Sequence, residues 1–149
     1  VHQFILKGFH ELEVTELYAI LQLREAIFVV EQNCVYHDVD GLDAHCYHLF
    51  TTNKGSIIAY ARLVPKDLKF DAPSIGRVIC DKAYRGKGLG QALMLKAIEA
   101  STNIFNCSEI KISAQTYLLQ FYKSLGFRPI SEAYDEDGIE HIDMLWQGD

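Results

Sequence analysis

Three glycines at alternate positions, Gly86, Gly88 and Gly90, stand between a dense apolar run, Ser74 to Cys80, and a stretch whose Leu89, Ala92, Leu93, Ala97 and Ala100 share one helical face. The run is short enough for a buried strand, so the order strand, glycine loop, helix follows. A helix start exposes unpaired N–H groups and the positive end of the helix dipole, so such a loop can cradle phosphate. Arg85 and Lys87 add positive charge there, in a chain whose formal net charge is -6. Two phosphate motifs are excluded by spacing. Lys87 is followed by Gly88 rather than Ser or Thr, and no glycine stands five residues before Gly86, so the loop is not a Walker A motif. Neither Gly86-x-Gly88 nor Gly88-x-Gly90 has a Gly or Ala three residues on, so the dinucleotide fingerprint fails too. A plain strand-to-helix turn would use the same glycines.

Elsewhere the hydrophobic pattern predicts alternating strands and helices. His2 to Lys7 reads as a first strand, and Thr15 as the N-cap of a helix with Leu17, Ile20, Leu21, Ile27 and Phe28 on one stripe. Phe28 to His48 is irregular and rich in Asp, Asn, His and Gly, the character of a long surface segment. His48–Thr52 and Ser56–Leu63, joined by Asn53-Lys54-Gly55, predict an antiparallel hairpin. The helix after the glycines closes near Ser101 to Asn103, and Glu109 to Ala114 is a further strand. Leu118, Phe121, Tyr122 and Leu125 then mark a second helix with Gly126 placed to cap it. About Arg128 to Tyr134 and Ile139 to Trp146 form a closing hairpin around Asp135-Glu136-Asp137-Gly138. The result is an α/β (α+β) chain, expected to form one domain over 1–149.

Composition removes several function classes. Lys and Arg are scattered in an acidic chain, which gives no electrostatic platform for nucleic acid. No window approaches the roughly 18 apolar residues of a membrane span, and the N-terminal stretch lacks the pattern of a signal peptide; a cytoplasmic protein is expected. Cys34, Cys46, Cys80 and Cys107 match no zinc spacing and are expected as free thiols. His37 to His48 offers carboxylates and imidazoles, but counting from Asp38 the calcium-loop positions five and twelve are Leu42 and Leu49. A turn-rich loop without metal is expected.

The stretch Val78-Ile79-Cys80 through Arg85-x-x-Gly88-x-Gly90 resembles the acetyl-CoA motif of the GNAT superfamily, Arg or Gln, x, x, Gly, x, Gly or Ala after the fourth strand. Downstream, Phe121-Tyr122-Lys123-Ser124-Leu125-Gly126-Phe127 resembles that superfamily's second motif, a tyrosine followed four and five residues later by Gly-Phe. Leu23 to Cys34, with Tyr36, Asp38, Asp40 and Gly41, looks like the ElaA-type branch. The resemblance covers nearly the whole chain.

It implies a mixed, mostly antiparallel sheet splayed between the fourth and fifth strands, with the pantetheine arm of acetyl-CoA in the gap. By similarity, Val78, Ile79 and Cys80 pair with the pantetheine amides, and the backbone of Arg85, Gly86, Lys87, Gly88, Leu89, Gly90 and Gln91 holds the pyrophosphate. Gln115 stands seven residues before Tyr122, where many relatives carry a CoA-binding asparagine. The implied reaction is direct attack of an amine on the thioester, with Tyr122 as general acid toward the departing thiolate. The general base is open, because Ser74–Cys80 carries no Asp or Glu where some relatives place a glutamate. Glu31, His48, His141 or a water chain are the candidates, and Glu31 is equally an acceptor-site residue. A CoA-binding sensor or partner-recognition module without catalysis is the alternative. The acceptor amine and the oligomeric state are not legible.

Overall fold

The computed structural model describes residues 2–149. Eight strands form one sheet: β1 (Phe4–Gly8), β2 (Tyr47–Asn53), β3 (Ser56–Val64), β4 (Ser74–Cys80), β5 (Glu109–Gln115), β6 (Phe127–Pro129), β7 (Tyr134–Glu136) and β8 (Ile139–Gln147). Their order is β1-β2-β3-β4-β5-β8-β6, with β7 also on β8, and every pairing is antiparallel except β4 with β5. Helices α2 (Leu89–Phe105) and α3 (Leu119–Ser124) cover one face, where Leu93, Met94, Ala97 and Tyr122 pack on Ala61, Ile75, Ile110 and Ile112. Helix α1 (Val14–Arg24) covers the other through Ile20, against Phe50, Tyr60 and Ile79. The alternation of β3 follows from this: Ala59, Ala61 and Leu63 face α2, while Tyr60 and Arg62 face the α1 side.

Several boundaries differ from the sequence expectation. The first strand is displaced to Phe4–Gly8. Helix α1 is entered at Glu13 rather than Thr15, because the Glu16 carboxylate reaches back to accept from the Glu13 amide at 2.8 Å. The chain stays helical beyond Phe28, but Glu25–Glu31 is a π-helix in which the Gln32 amide donates to the Ile27 carbonyl, five residues back, at 3.0 Å. The expected strand 128–134 divides into β6 and β7, both lying along the same edge of β8. The two hairpin turns and the strand Ser74–Cys80 form where expected; Lys54 and Gly55, and Asp137 and Gly138, take the positive φ of tight turns. Gly126 adopts φ 99° after α3, as its capping position requires.

The loop Asn33–Leu42 is fixed by ion pairs its sequence does not announce. Arg24, fully buried on α1, donates from Nε to Asp38 Oδ2 at 2.9 Å and from Nη1 to Asp43 Oδ1 at 2.7 Å. Arg62 joins Asp40 at 2.9 Å and Asp43 at 3.0 Å, and Arg77 reaches Asp38 at 2.8 Å. Three guanidinium groups thus balance three carboxylates, so the acidic positions that suggested a metal loop are spent on arginine. Among the described residues no group of His, Cys, Asp and Glu is arranged to hold a metal ion, and no helix is long and apolar enough to cross a membrane.

Candidate active site

Strands β4 and β5 touch at one end only. Ser74 is in register with Lys111, the Lys111 amide donates to the Pro73 carbonyl at 3.0 Å, and no pairing follows. From Gly76 onward the edge of β4 that faces β5 therefore carries backbone groups without a strand partner, which must be satisfied by something else. The divergence coincides with a bulge. Ile75 and Val78 both face the α2 side although they are three residues apart, and the extra residue is absorbed at Arg77, with φ 49°. A cleft of about 690 Å³ fills the V between the strands, within the range of small-molecule sites.

On the α2–α3 side the cleft is bounded by Val78, Cys80, the glycine loop and Tyr122. Gly88 is the N-cap of α2 at φ 81°, and the Ala92 amide returns to its carbonyl at 3.1 Å, which leaves the amides of Leu89, Gly90 and Gln91 without helical partners. A Cβ built on Gly86 or Gly88 would meet nothing within 4 Å, so open space lies against this backbone, the form a phosphate cradle needs. The Leu89 side chain is buried in the core, so only its backbone can serve a ligand. Lys87 is exposed, with Nζ 6.0 Å from the Tyr84 ring centre, and its side chain does not line the cleft. Arg85 does, with Nε donating to the Cys80 carbonyl at 3.0 Å and Nη1 lying 2.8 Å from Glu31 Oε2.

Tyr122 is 6 % exposed and lies edge-on to Phe121 and Phe127. It is at once a core residue and a wall of the cleft, and burial pushes its phenol well above the ordinary tyrosine value, so it is protonated at neutral pH. Tyr122 and the glycine loop, widely separated in sequence, are thus brought to one cavity.

The opposite side of the cleft comes from the loops and from β5, β7 and β8. Ile110, Ile112 and Ala114 face α2, which turns Ser113 and Gln115 to the other side together with His141, the register partner of Gln115. Gln115 exchanges two 3.3 Å hydrogen bonds with Gln32 at the end of the π-helix. His141 is 8 % exposed. Its Nδ1 lies 2.8 Å from the Ile139 carbonyl, which can only accept, so the neutral ring presents Nε2 as its lone-pair nitrogen; Glu136 Oε2 is 3.6 Å from that atom.

The three base candidates separate on this geometry. His48 is fully buried outside the cleft, with Nδ1 2.7 Å from the Tyr60 hydroxyl and Nε2 2.9 Å from the Asp43 carbonyl, so it has no access to a substrate. Glu31 is at the cleft rim, and the Arg85 guanidinium holds its carboxyl below the usual value, which weakens it as a base. His141 lines the cleft with a free nitrogen. Sequence reasoning gave no site role to Lys69, Ser113 and Glu136, which also line the cleft and belong to no motif.

A family model described as an acetyltransferase (GNAT) domain matches residues 18–147. The chain is 46% identical over 136 residues to protein ElaA of Escherichia coli, covering 90% of this chain and 89% of that protein. It is 44% identical over 144 residues to a UPF0039 protein of Schizosaccharomyces pombe, covering 95% of each. The crystal structure of Escherichia coli ElaA superposes with a TM-score of 0.92 over 99% of this chain and 100% of that one, at 41% identity. An acyl-CoA N-acyltransferase from Pseudomonas aeruginosa superposes with a TM-score of 0.93 at 39% identity, over 98% and 99% of the two chains. Sheet topology, splayed cleft and sequence agree: this chain is an acyltransferase that belongs to the GNAT acetyltransferase family.

Proposed function

We propose that the protein transfers an acetyl group from acetyl-CoA to an amine by direct attack within a ternary complex. One observation carries this reading. A single cleft passes through the sheet, with the glycine loop and Tyr122 on one face and His141 and Glu136 on the other, so donor and acceptor can meet in the gap without sharing a surface.

In this reading the unpaired edge of Val78, Ile79 and Cys80 offers its amides and carbonyls to the pantetheine arm. The amides from Arg85 to Gln91 hold the pyrophosphate, with Arg85 beside them and Gln115 at the open end of β5. Acetyl-CoA supplies an activated thioester, and the residues then have three tasks. His141 accepts the proton of the attacking amine at Nε2, and Glu136 steadies the imidazolium that results. Tyr122, kept protonated by burial, donates its phenolic proton as the C–S bond breaks and the C–N bond forms. Glu31 frames the acceptor entrance rather than taking the proton. The four cysteines are free, which suits a reducing compartment such as the cytoplasm.

Calorimetric titration with acetyl-CoA tests the cradle. Wild-type protein is expected to bind, and Gly88→Trp, which places an indole in the open space before α2, is expected to lose binding while remaining folded. Folded wild-type protein that binds no acetyl-CoA would overturn the reading.

A further inference from the structure

Lys69 lies in the segment 65–73 between β3 and β4 and lines the cleft on the side away from the glycine loop. Among the described residues its ammonium makes no hydrogen bond or ion pair; Nζ lies 5.8 Å from the centre of the Phe70 ring. The charged groups around it are otherwise engaged. Arg62 from β3 and Arg77 from β4 belong to the balanced cluster with Asp38, Asp40 and Asp43. Glu136 from β7 faces Lys69 across the cleft and attracts it without contact, while lying within 4 Å of His141. One wall of the acceptor chamber therefore bears a cation without a contacting counter-ion, while the other bears a proton acceptor backed by a carboxylate.

Lys69 is open to solvent, as a residue lining an open cleft must be. The protein packed around it nevertheless desolvates the ammonium; Glu136 and Asp40 attract it from a distance, but desolvation together with repulsion by Arg77 and Arg62 prevails, so its pKa is lowered. An anion arriving beside it would relieve both effects. Among the described residues no carboxylate stands within ion-pair distance of it, although Asp and Glu outnumber Lys and Arg by 20 to 14.

We propose that Lys69 is a specificity-determining residue that binds a carboxylate of the acceptor, so that the substrate is an amine bearing a carboxylate in the same molecule, its amine at His141. This rests on the reading of the cleft as an amine acetyltransferase site. It reverses the preference that net charge alone suggests, since an acidic surface draws cationic amines at long range, whereas selection is made by the local sign inside the cleft.

The test uses acceptor pairs that differ only in the carboxylate: lysine and cadaverine, ornithine and putrescine, tyrosine and tyramine. The wild-type enzyme is expected to favour the carboxylated member by about tenfold to hundredfold in kcat/KM, the scale of one hydrogen-bonded charge pair. In Lys69→Met the ratio is expected to fall toward one, chiefly through KM, and in Lys69→Arg to recover in part. Because each ratio is internal to one variant, general damage to the enzyme cancels. A lysine-ended peptide beside the same peptide with an amidated C-terminus distinguishes a chain end from a free amino acid. Equal use of the paired amines by the wild type, or an unchanged ratio in Lys69→Met, overturns the assignment and leaves amine acetylation standing. If no amine is acetylated, it is the function above that fails. The carboxylate site is then judged by titrating lysine and cadaverine into protein saturated with CoA, where tighter lysine binding supports it and equal or absent binding overturns it.

Discussion

Arg85 holds Glu31 through two contacts, Nη1 to Oε2 at 2.8 Å and Nη2 to Oε1 at 3.2 Å, across 54 residues of sequence. A carboxylate thereby occupies the arginine that stands beside the pyrophosphate in the proposed reading. The pair is exposed, and such pairs contribute only about 0.2–1 kcal/mol. Removing the competitor frees the arginine, so Glu31→Gln is expected to tighten acetyl-CoA binding by about twofold to fivefold in a calorimetric titration. Weaker binding in that variant would show that Glu31 supports the cradle rather than competing for it.

Tyr122 and His141 divide the proton transfers between them in the proposed mechanism. Tyr122→Phe keeps the ring and removes only the hydroxyl; its kcat is expected to fall by about tenfold to hundredfold with acetyl-CoA affinity retained. A fall in affinity that matches the fall in rate would return the tyrosine to a packing role.

For His141, substitution by glutamine preserves polarity but removes the basic nitrogen. His141→Gln is expected to lose about a hundredfold in kcat with acetyl-CoA affinity retained. An unchanged kcat would assign the base to another group.

The arginine–aspartate cluster predicts how the protein responds to acid. Burial alone would raise the Asp40 carboxyl, but the Arg62 hydrogen bonds, the Leu42 amide and the nearby guanidinium charges outweigh it and bring it to about 2. Asp43 is likewise held below its ordinary value by Arg24 and Arg62, against the effect of burial. Carboxyl groups depressed on folding stabilise the folded state above their unfolded pKa and lose that contribution as pH falls through the folded one. Denaturant unfolding is therefore expected to show stability declining from about pH 4 toward pH 2, with a shallower decline in Asp40→Asn. At neutral pH Asp43→Asn, which leaves two buried guanidinium groups short of a charge, is expected to cost about 3 kcal/mol.

Gly126 offers a purely structural counterpart. Its φ of 99° excludes ordinary side chains, and a Cβ would stand 3.3 Å from Trp146 Cδ1. Gly126→Ala is expected to destabilise the protein by about 1–2 kcal/mol in urea unfolding.

Much of the donor side was legible because it is written locally. Glycines beside a strand and a helix, and a tyrosine on a helical stripe, need only spacing to be recognised, and the structure brings Gly86, Gly88, Gly90 and Tyr122 to one cleft. Less of the proposed acceptor side was legible, with Glu31 and His141 named only among several candidates, because it is assembled from distant pieces. Lys69 has no pattern around it, Glu136 read only as part of a turn, and His48 and His141 looked equivalent until their places inside and outside the cleft separated them. Asp38, Asp40 and Asp43 appeared as a solvated loop because their arginine partners lie 14 to 39 positions away.

The π-helix at Glu25–Glu31 sets the phase of whatever follows it. Ordinary α-helical geometry advances 100° per residue, so closing this widened turn by a single deletion would swing Glu31 and Gln32 about a quarter-turn around the helix axis. Arg85 and Gln115 would lose their mates together, one from each flank of the gap. Since Glu31 and Gln32 both line the cleft, the shape of its entrance depends on the pitch of one helical turn.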